Sequence, residues 1–151
     1  MTKPRFDGKG SLFGELHRQL DSDICMLDID RMSLLITQQV WLHKENECFI
    51  EYRHDAEQIT FKAIFELKYK FNERIFDLNE SVNRARIAIA KKLECKLFVV
   101  IGNQSPLEFY EIDTETGAYN KSYTLIFTND KQEQKKAMEK CWQQLGLQKA
   151  S

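Results

Sequence analysis

The amino-acid sequence predicts an α/β (α+β) layer sandwich, on three observations. Extended segments crowd the stretch from Ile24 to Phe71. Helical periodicity takes over from Asn79 to Leu93 and runs straight into the nearly all-apolar "KLFVVIG". Two further extended segments then flank Gly117 and precede one last amphipathic stretch. The order is helix, three or four strands, helix, strand, and finally a C-terminal hairpin and helix.

Each element follows from the spacing of its apolar residues. In "SLFGELHRQL", Ser11 can cap a helix whose Leu12, Leu16 and Leu20 recur every four residues, with Glu15, Arg18 and Gln19 off that stripe. "ICMLDIDRMSLLI" is dominated by aliphatic residues and reads as a strand. Period two puts Ile24, Met26, Asp28, Asp30 and Met32 on one of its faces. "QQVWLH", "ECFIEYR" and "ITFKAIFELKYKF" continue as extended segments, separated by the polar breaks "KENE" and "HDAEQ", and complete an antiparallel meander.

From Asn79 to Leu93, Val82, Ala85, Ile89 and Leu93 share one helical side, and Arg84, Arg86, Lys91 and Lys92 are read as lying elsewhere. "KLFVVIG" is the pattern of a strand covered on both faces. "PLEFYEID" and "YTLIF" form a hairpin across "TETGAYNK", with Gly117 suited to the turn. "DKQEQKKAMEKCWQQLG" starts at Asp130 as a cap and gathers Ala137, Met138, Cys141, Trp142 and Leu145 on one face before Gly146. That apolar face packs into the core or forms a dimer seam.

Composition narrows the function classes. A chain of 151 residues, 42% hydrophobic and 11% aromatic, has the material for a single domain over residues 1–151. With 30% charged residues but a net charge of -1, it is neither a polybasic binder nor an acidic tail protein, so any nucleic-acid contact has to come from a local patch. Cys25, Cys48, Cys95 and Cys141 form no CxxC pair and follow no signal peptide, so a reduced, cytoplasmic protein without a zinc cluster is expected. No apolar run approaches the roughly 20 residues of a membrane span. Three histidines without shared spacing argue against a zinc hydrolase, and no Gly-rich loop precedes a helix to cradle a nucleotide.

The residues that point to chemistry sit in "AIFELKYKF". Ile64, Glu66, Lys68 and Lys70 share one strand face, and Ala63, Phe65, Leu67 and Tyr69 the other. A carboxylate and an ammonium two residues apart are about 7 Å apart at the backbone and can reach one small object. A divalent cation with its bound water is such an object. Mg²⁺ keeps several waters and needs only one or two carboxylates besides a substrate phosphate, and Asp30 and Glu66 could supply that pair. On an exposed strand, Glu-X-Lys is also an ordinary solvated pattern.

Order and context add to this. A helix with Glu15 precedes "LDIDRM", a later strand carries "FELKYK", and a mixed basic and apolar helix leads to "KLFVVIG". Over about residues 11–102 this resembles the PD-(D/E)XK nuclease superfamily, whose restriction-endonuclease-like core runs helix, three strands, helix, strand. "LDIDRM" looks like the strand ending in Asp and Arg of RecB-like members. The resemblance implies that Asp30 and Glu66 hold Mg²⁺ (or Mn²⁺) and that Lys68 orients or deprotonates the attacking water. It also implies that Glu15 is an accessory catalytic acid. Asp28 faces the same way as Asp30, which is the preferred ligand, and Glu15 could equally be an i,i+3 partner of Arg18. His17 is expected to be packed and Tyr69 to lie in the core. Arg84, Arg86 and Lys70 would contact phosphates of nucleic acid.

The interval from Asp30 to Glu66 is longer than a simple hairpin, so an extra strand is expected there. The proline of the family name is absent before Asp30. The implied activity is metal-dependent hydrolysis of phosphodiester bonds, in DNA first, by a small nuclease similar to Holliday-junction resolvases and working as a homodimer. The alternative is a binding module that has kept the nuclease fold without catalysis.

Overall fold

The structure, a computed structural model, describes residues 12–21, 24–28, 47–54, 58–68 and 75–148. Among the described residues the elements are α1 (Leu12–His17), β1 (Ile24–Asp28), β2 (Glu47–His54), β3 (Ile59–Lys68), α2 (Ser81–Leu93), β4 (Lys96–Ile101), β5 (Leu107–Ile112), β6 (Tyr119–Leu125) and α3 (Lys131–Gln144). The strands form one six-stranded mixed sheet in sequence order, β1-β2-β3-β4-β5-β6. Neighbours are antiparallel except β3 and β4, which are parallel because α2 carries the chain back across the sheet. The crossover helix, hairpin and terminal helix are present, with three strands of the meander, and β6 begins at Tyr119, inside the stretch "TETGAYNK" read as the connection, and ends at Leu125. The segment "QQVWLH" and residues 29–36 lie outside the described residues, as does Ser11.

Two cores follow from the period-two alternation of the strands. On one face Met26, Phe49, Phe65, Phe98 and Phe109 meet Phe13 and Leu16 of α1 and Met138, Cys141 and Trp142 of α3. On the other, Cys48, Ile50, Ile64, Leu97, Val99 and Ile101 meet Ile89 and Ala90 of α2. β4 is buried on both faces from Leu97 to Ile101, as its near-continuous apolar run predicts for a central strand. Each large side chain removed from water here contributes about 1.5–3 kcal/mol before conformational entropy is subtracted.

Local chemistry explains the ends of the elements. Asp130 accepts hydrogen bonds from the backbone N–H groups of Gln132 and Glu133 and so satisfies two otherwise unpaired donors of α3. At the other end of that helix Gly146 takes φ 74°, and Lys96 of β4 donates to the carbonyl of Leu145 at 2.9 Å. The β5–β6 turn needs Gly117: its φ is 76°, and a Cβ there would lie 2.6 Å from Cδ1 of Leu78. The apolar face of α3 therefore goes into the core. Met138, Cys141 and Trp142 are all fully buried.

Candidate active site around Glu66

β3 lies between β2 and β4, with Glu66 opposite Cys48 on one side and Val99 on the other. These neighbours belong to the core beneath α2, so Glu66 stands on the α2 face of the sheet and is 2% exposed. A carboxylate cannot stay charged in such surroundings without a partner. Arg86 of α2 provides it: its Nη1 lies 2.8 Å from Glu66 Oε1, and the guanidinium is itself buried. The same Nη1 donates to Asn83 Oδ1 at 3.1 Å, and Asn83 Nδ2 donates to the carbonyl of Asp77 at 2.8 Å. The second oxygen, Glu66 Oε2, is buried and has no hydrogen-bond partner among the described residues.

Lys68, the last residue of β3, is half-buried, and its Nζ donates to the carbonyl of Ile75. Arg84 is exposed and donates to the carbonyl of Leu78. The turn of residues 75–80 is thus held through three of its carbonyls by side chains of β3 and α2. Farther along the strand rung that contains Glu66 and Val99 lies Tyr110 of β5, two strands and about 10 Å from Glu66. Burial, followed by the nearby Glu108 carboxylate, pushes the Tyr110 hydroxyl above the usual tyrosine range.

The sequence-derived site residues distribute as follows. Glu66 and Lys68 share the α2 face at the carboxyl end of β3. Arg86 joins Glu66 from the helix instead of lying on a solvated side. Its position explains this, since it falls four residues after Val82 and three before Ile89, on the buried stripe itself. Glu15 is exposed on α1, a helix that packs with α3 against the opposite face of the sheet. Asp30, Lys70 and Tyr69 lie outside the described residues. Asp28 is the last residue of β1, with its backbone opposite Phe49, one rung from the pair Cys48–Glu66. No group of three or more His, Cys, Asp or Glu side chains is assembled for a metal ion among the described residues.

A second buried carboxylate escaped the sequence reading. Glu51 of β2 is 1% exposed and lies on the α1/α3 face. His17 Nε2 and Trp142 Nε1 each approach its Oε2 at 2.6 Å. His17 is packed, as expected of a lone histidine, and its ring meets Trp142 edge to face at 5.5 Å. The available signal was the strand alternation, which sets Glu51 in phase with Phe49.

No helix among the described residues is long and apolar enough to cross a membrane. Compared with family models, curated proteins and solved structures, the chain finds no significant match.

Proposed function

We propose that the chain is a metal-dependent nuclease that hydrolyses phosphodiester bonds in nucleic acid, DNA first, on a restriction-endonuclease-like core. The observation that carries the reading is Glu66 Oε2, a buried carboxylate oxygen without a partner among the described residues, two residues from Lys68 at the carboxyl end of a central strand. Such an oxygen calls for an explanation, and a bound ion is one. The order α1-β1-β2-β3-α2-β4 supports the reading, because it is the order in which the core of the PD-(D/E)XK superfamily runs. The hairpin β5–β6 and α3 are then additions to that core.

The donor set fits the metal in kind. Mg²⁺ or Mn²⁺ takes oxygen ligands and needs only one or two carboxylates. Glu66 through Oε2 would hold it, and when bound it would supply Lewis acidity and a water of lowered pKa. Asp30, the second ligand the resemblance implies, shares its period-two face with Met26 of the α1/α3 core and would have to leave that face beyond Asp28 to join Glu66. The remaining work falls to the chain's own groups. Lys68 carries an ammonium with three hydrogens, of which the carbonyl of Ile75 takes one, leaving two for a phosphate oxygen as charge develops on it. Arg84 sits in the first turns of α2, where the helix dipole favours anions, and with Lys70 it would contact the phosphate backbone. A homodimer on a branched or paired substrate belongs to the same proposal.

One observation favours a second reading. Glu66 is almost wholly buried, and Arg86 already balances its charge, which is what a non-catalytic binding module on this fold would keep for stability. Cleavage of linear, branched and single-stranded DNA and RNA with Mg²⁺ or Mn²⁺ separates the two. The nuclease reading expects cleavage by the native chain and its loss in Asp30→Asn, Glu66→Gln and Lys68→Ala. A folded Lys68→Ala variant with full activity would sink the assignment. Metal-independent binding shared by the native chain and Glu66→Gln, without cleavage by either, would identify the binding module.

A further inference from the structure

We infer that Arg86 is the positioning residue of Glu66: a buried guanidinium on α2 that holds Oε1 and thereby presents Oε2 to a divalent cation. The inference rests on the metal-dependent reading above and adds to it a residue that touches neither metal nor substrate. Three observations carry it. First, Arg86 Nη1 lies 2.8 Å from Glu66 Oε1 and donates to Asn83 Oδ1 at 3.1 Å, so the nitrogen that grips the carboxylate is anchored from its own helix. Second, the anchor continues outward, since Asn83 Nδ2 donates to the carbonyl of Asp77 at 2.8 Å in the turn that also receives Lys68 at Ile75. The carboxylate and the ammonium of "FELK" are thereby tied to one frame. Third, the pair is asymmetric, with Oε1 taken and Oε2 buried without a described partner.

A buried ion pair that serves stability alone is favourable when its remaining lone pairs are also satisfied, because desolvation of both charges has to be offset. Glu66 leaves one buried oxygen over. Groups that orient a metal ligand in this way typically contribute about 10–100-fold to metal affinity or activity.

The test uses the full chain and two readouts. Mn²⁺ binding is followed by the electron paramagnetic resonance of the free ion, and kcat and KM are measured on whichever nucleic acid the native chain cleaves, with thermal melts to establish folding. The native chain is expected to bind Mn²⁺ and Glu66→Gln to lose it. Arg86→Gln should weaken Mn²⁺ by about 10–100-fold and lower kcat with KM unchanged, and Arg86→Lys, which keeps the charge but not the fork, should recover part of both. Should Arg86→Gln not fold, Asn83→Ala carries the same test, because it loosens the guanidinium while leaving both charges in place. A folded Arg86→Gln with native Mn²⁺ affinity and kcat would overturn the inference and leave the pair structural. A raised KM with unchanged Mn²⁺ affinity would overturn it in favour of substrate contact. If the native chain binds no Mn²⁺, or Glu66→Gln binds it as well as the native chain does, the metal reading fails and the role of Arg86 falls with it.

Discussion

Among the described residues each face of the sheet buries one strand carboxylate, and the two are held in different ways. On the α1/α3 face, Glu51 takes hydrogen bonds from His17 and Trp142, which come from two helices far apart in sequence, and the rings of Phe13, His17 and Phe65 pack against that of Trp142. On the α2 face, Glu66 meets a full positive charge from the single helix that covers it, and one oxygen remains over. The first arrangement stitches β2 to both helices of its layer, with both bonds landing on Glu51 Oε2. The second is a charge pair that leaves one buried oxygen, Glu66 Oε2, without a hydrogen-bond partner among the described residues. A buried polar group alone is weak evidence of function, and the informative difference lies in the partner it meets, two ring nitrogens on one oxygen of Glu51 and a guanidinium at Glu66.

The comparison can be broken most severely at Trp142. Trp142→Ala removes a fully buried indole and one donor to Glu51, and is expected to cost about 3–5 kcal/mol in urea unfolding. A loss below about 1 kcal/mol would show that the Glu51 side is not sealed as described.

On the opposite face, Arg86→Leu alone leaves Glu66 charged and buried, and is expected to cost a similar 3–5 kcal/mol. The double variant Glu66→Leu/Arg86→Leu should regain most of that stability, since removing both charges also removes their desolvation. A double variant as unstable as the single one would mean that the pair is held for packing and not by charge balance.

A smaller effect separates local from tertiary support. Asp130→Ala deletes the cap of α3 and should lower stability by about 1 kcal/mol while leaving the Glu66 side unchanged. Unfolding monitored by Trp142 fluorescence would register it.

The mildest probe reads the two faces by their thiols and perturbs no contact. Burial pushes the Cys95 thiol, packed at the margin of the α2 core, up to about 11, and raises that of Cys141, within the α1/α3 core, further still. Both shifts favour the neutral thiol, so the stabilisation they reflect is present below the ordinary thiol pKa and is lost as pH rises through the folded value. Alkylation followed by mass spectrometry should therefore find Cys95 slow at pH 8 and faster as pH approaches 11. Cys141 should react only through unfolding. Equal labelling of the two at pH 8 would contradict the order of burial.

The order of elements was legible in the sequence because it rests on local periodicity and end signals. Alternation marked β2 and β3, Asp130 and Gly146 bounded α3, and Gly117 marked the hairpin turn. The unbroken apolar run of β4 announced a strand with both faces covered. Glu66 and Lys68 were likewise visible as a pair on one strand face, since side-chain direction on a strand depends on count alone. What that face meets was not visible. Whether Glu66 looks onto solvent or onto Arg86 depends on where α2 lands after the crossover. The pairing of Glu51 with Trp142 likewise spans most of the chain. Residues 66 and 86, or 51 and 142, become neighbours only when the sheet and its covering helices pack, and the energy of a buried charge is set by that packing rather than by the identity of its sequence neighbours.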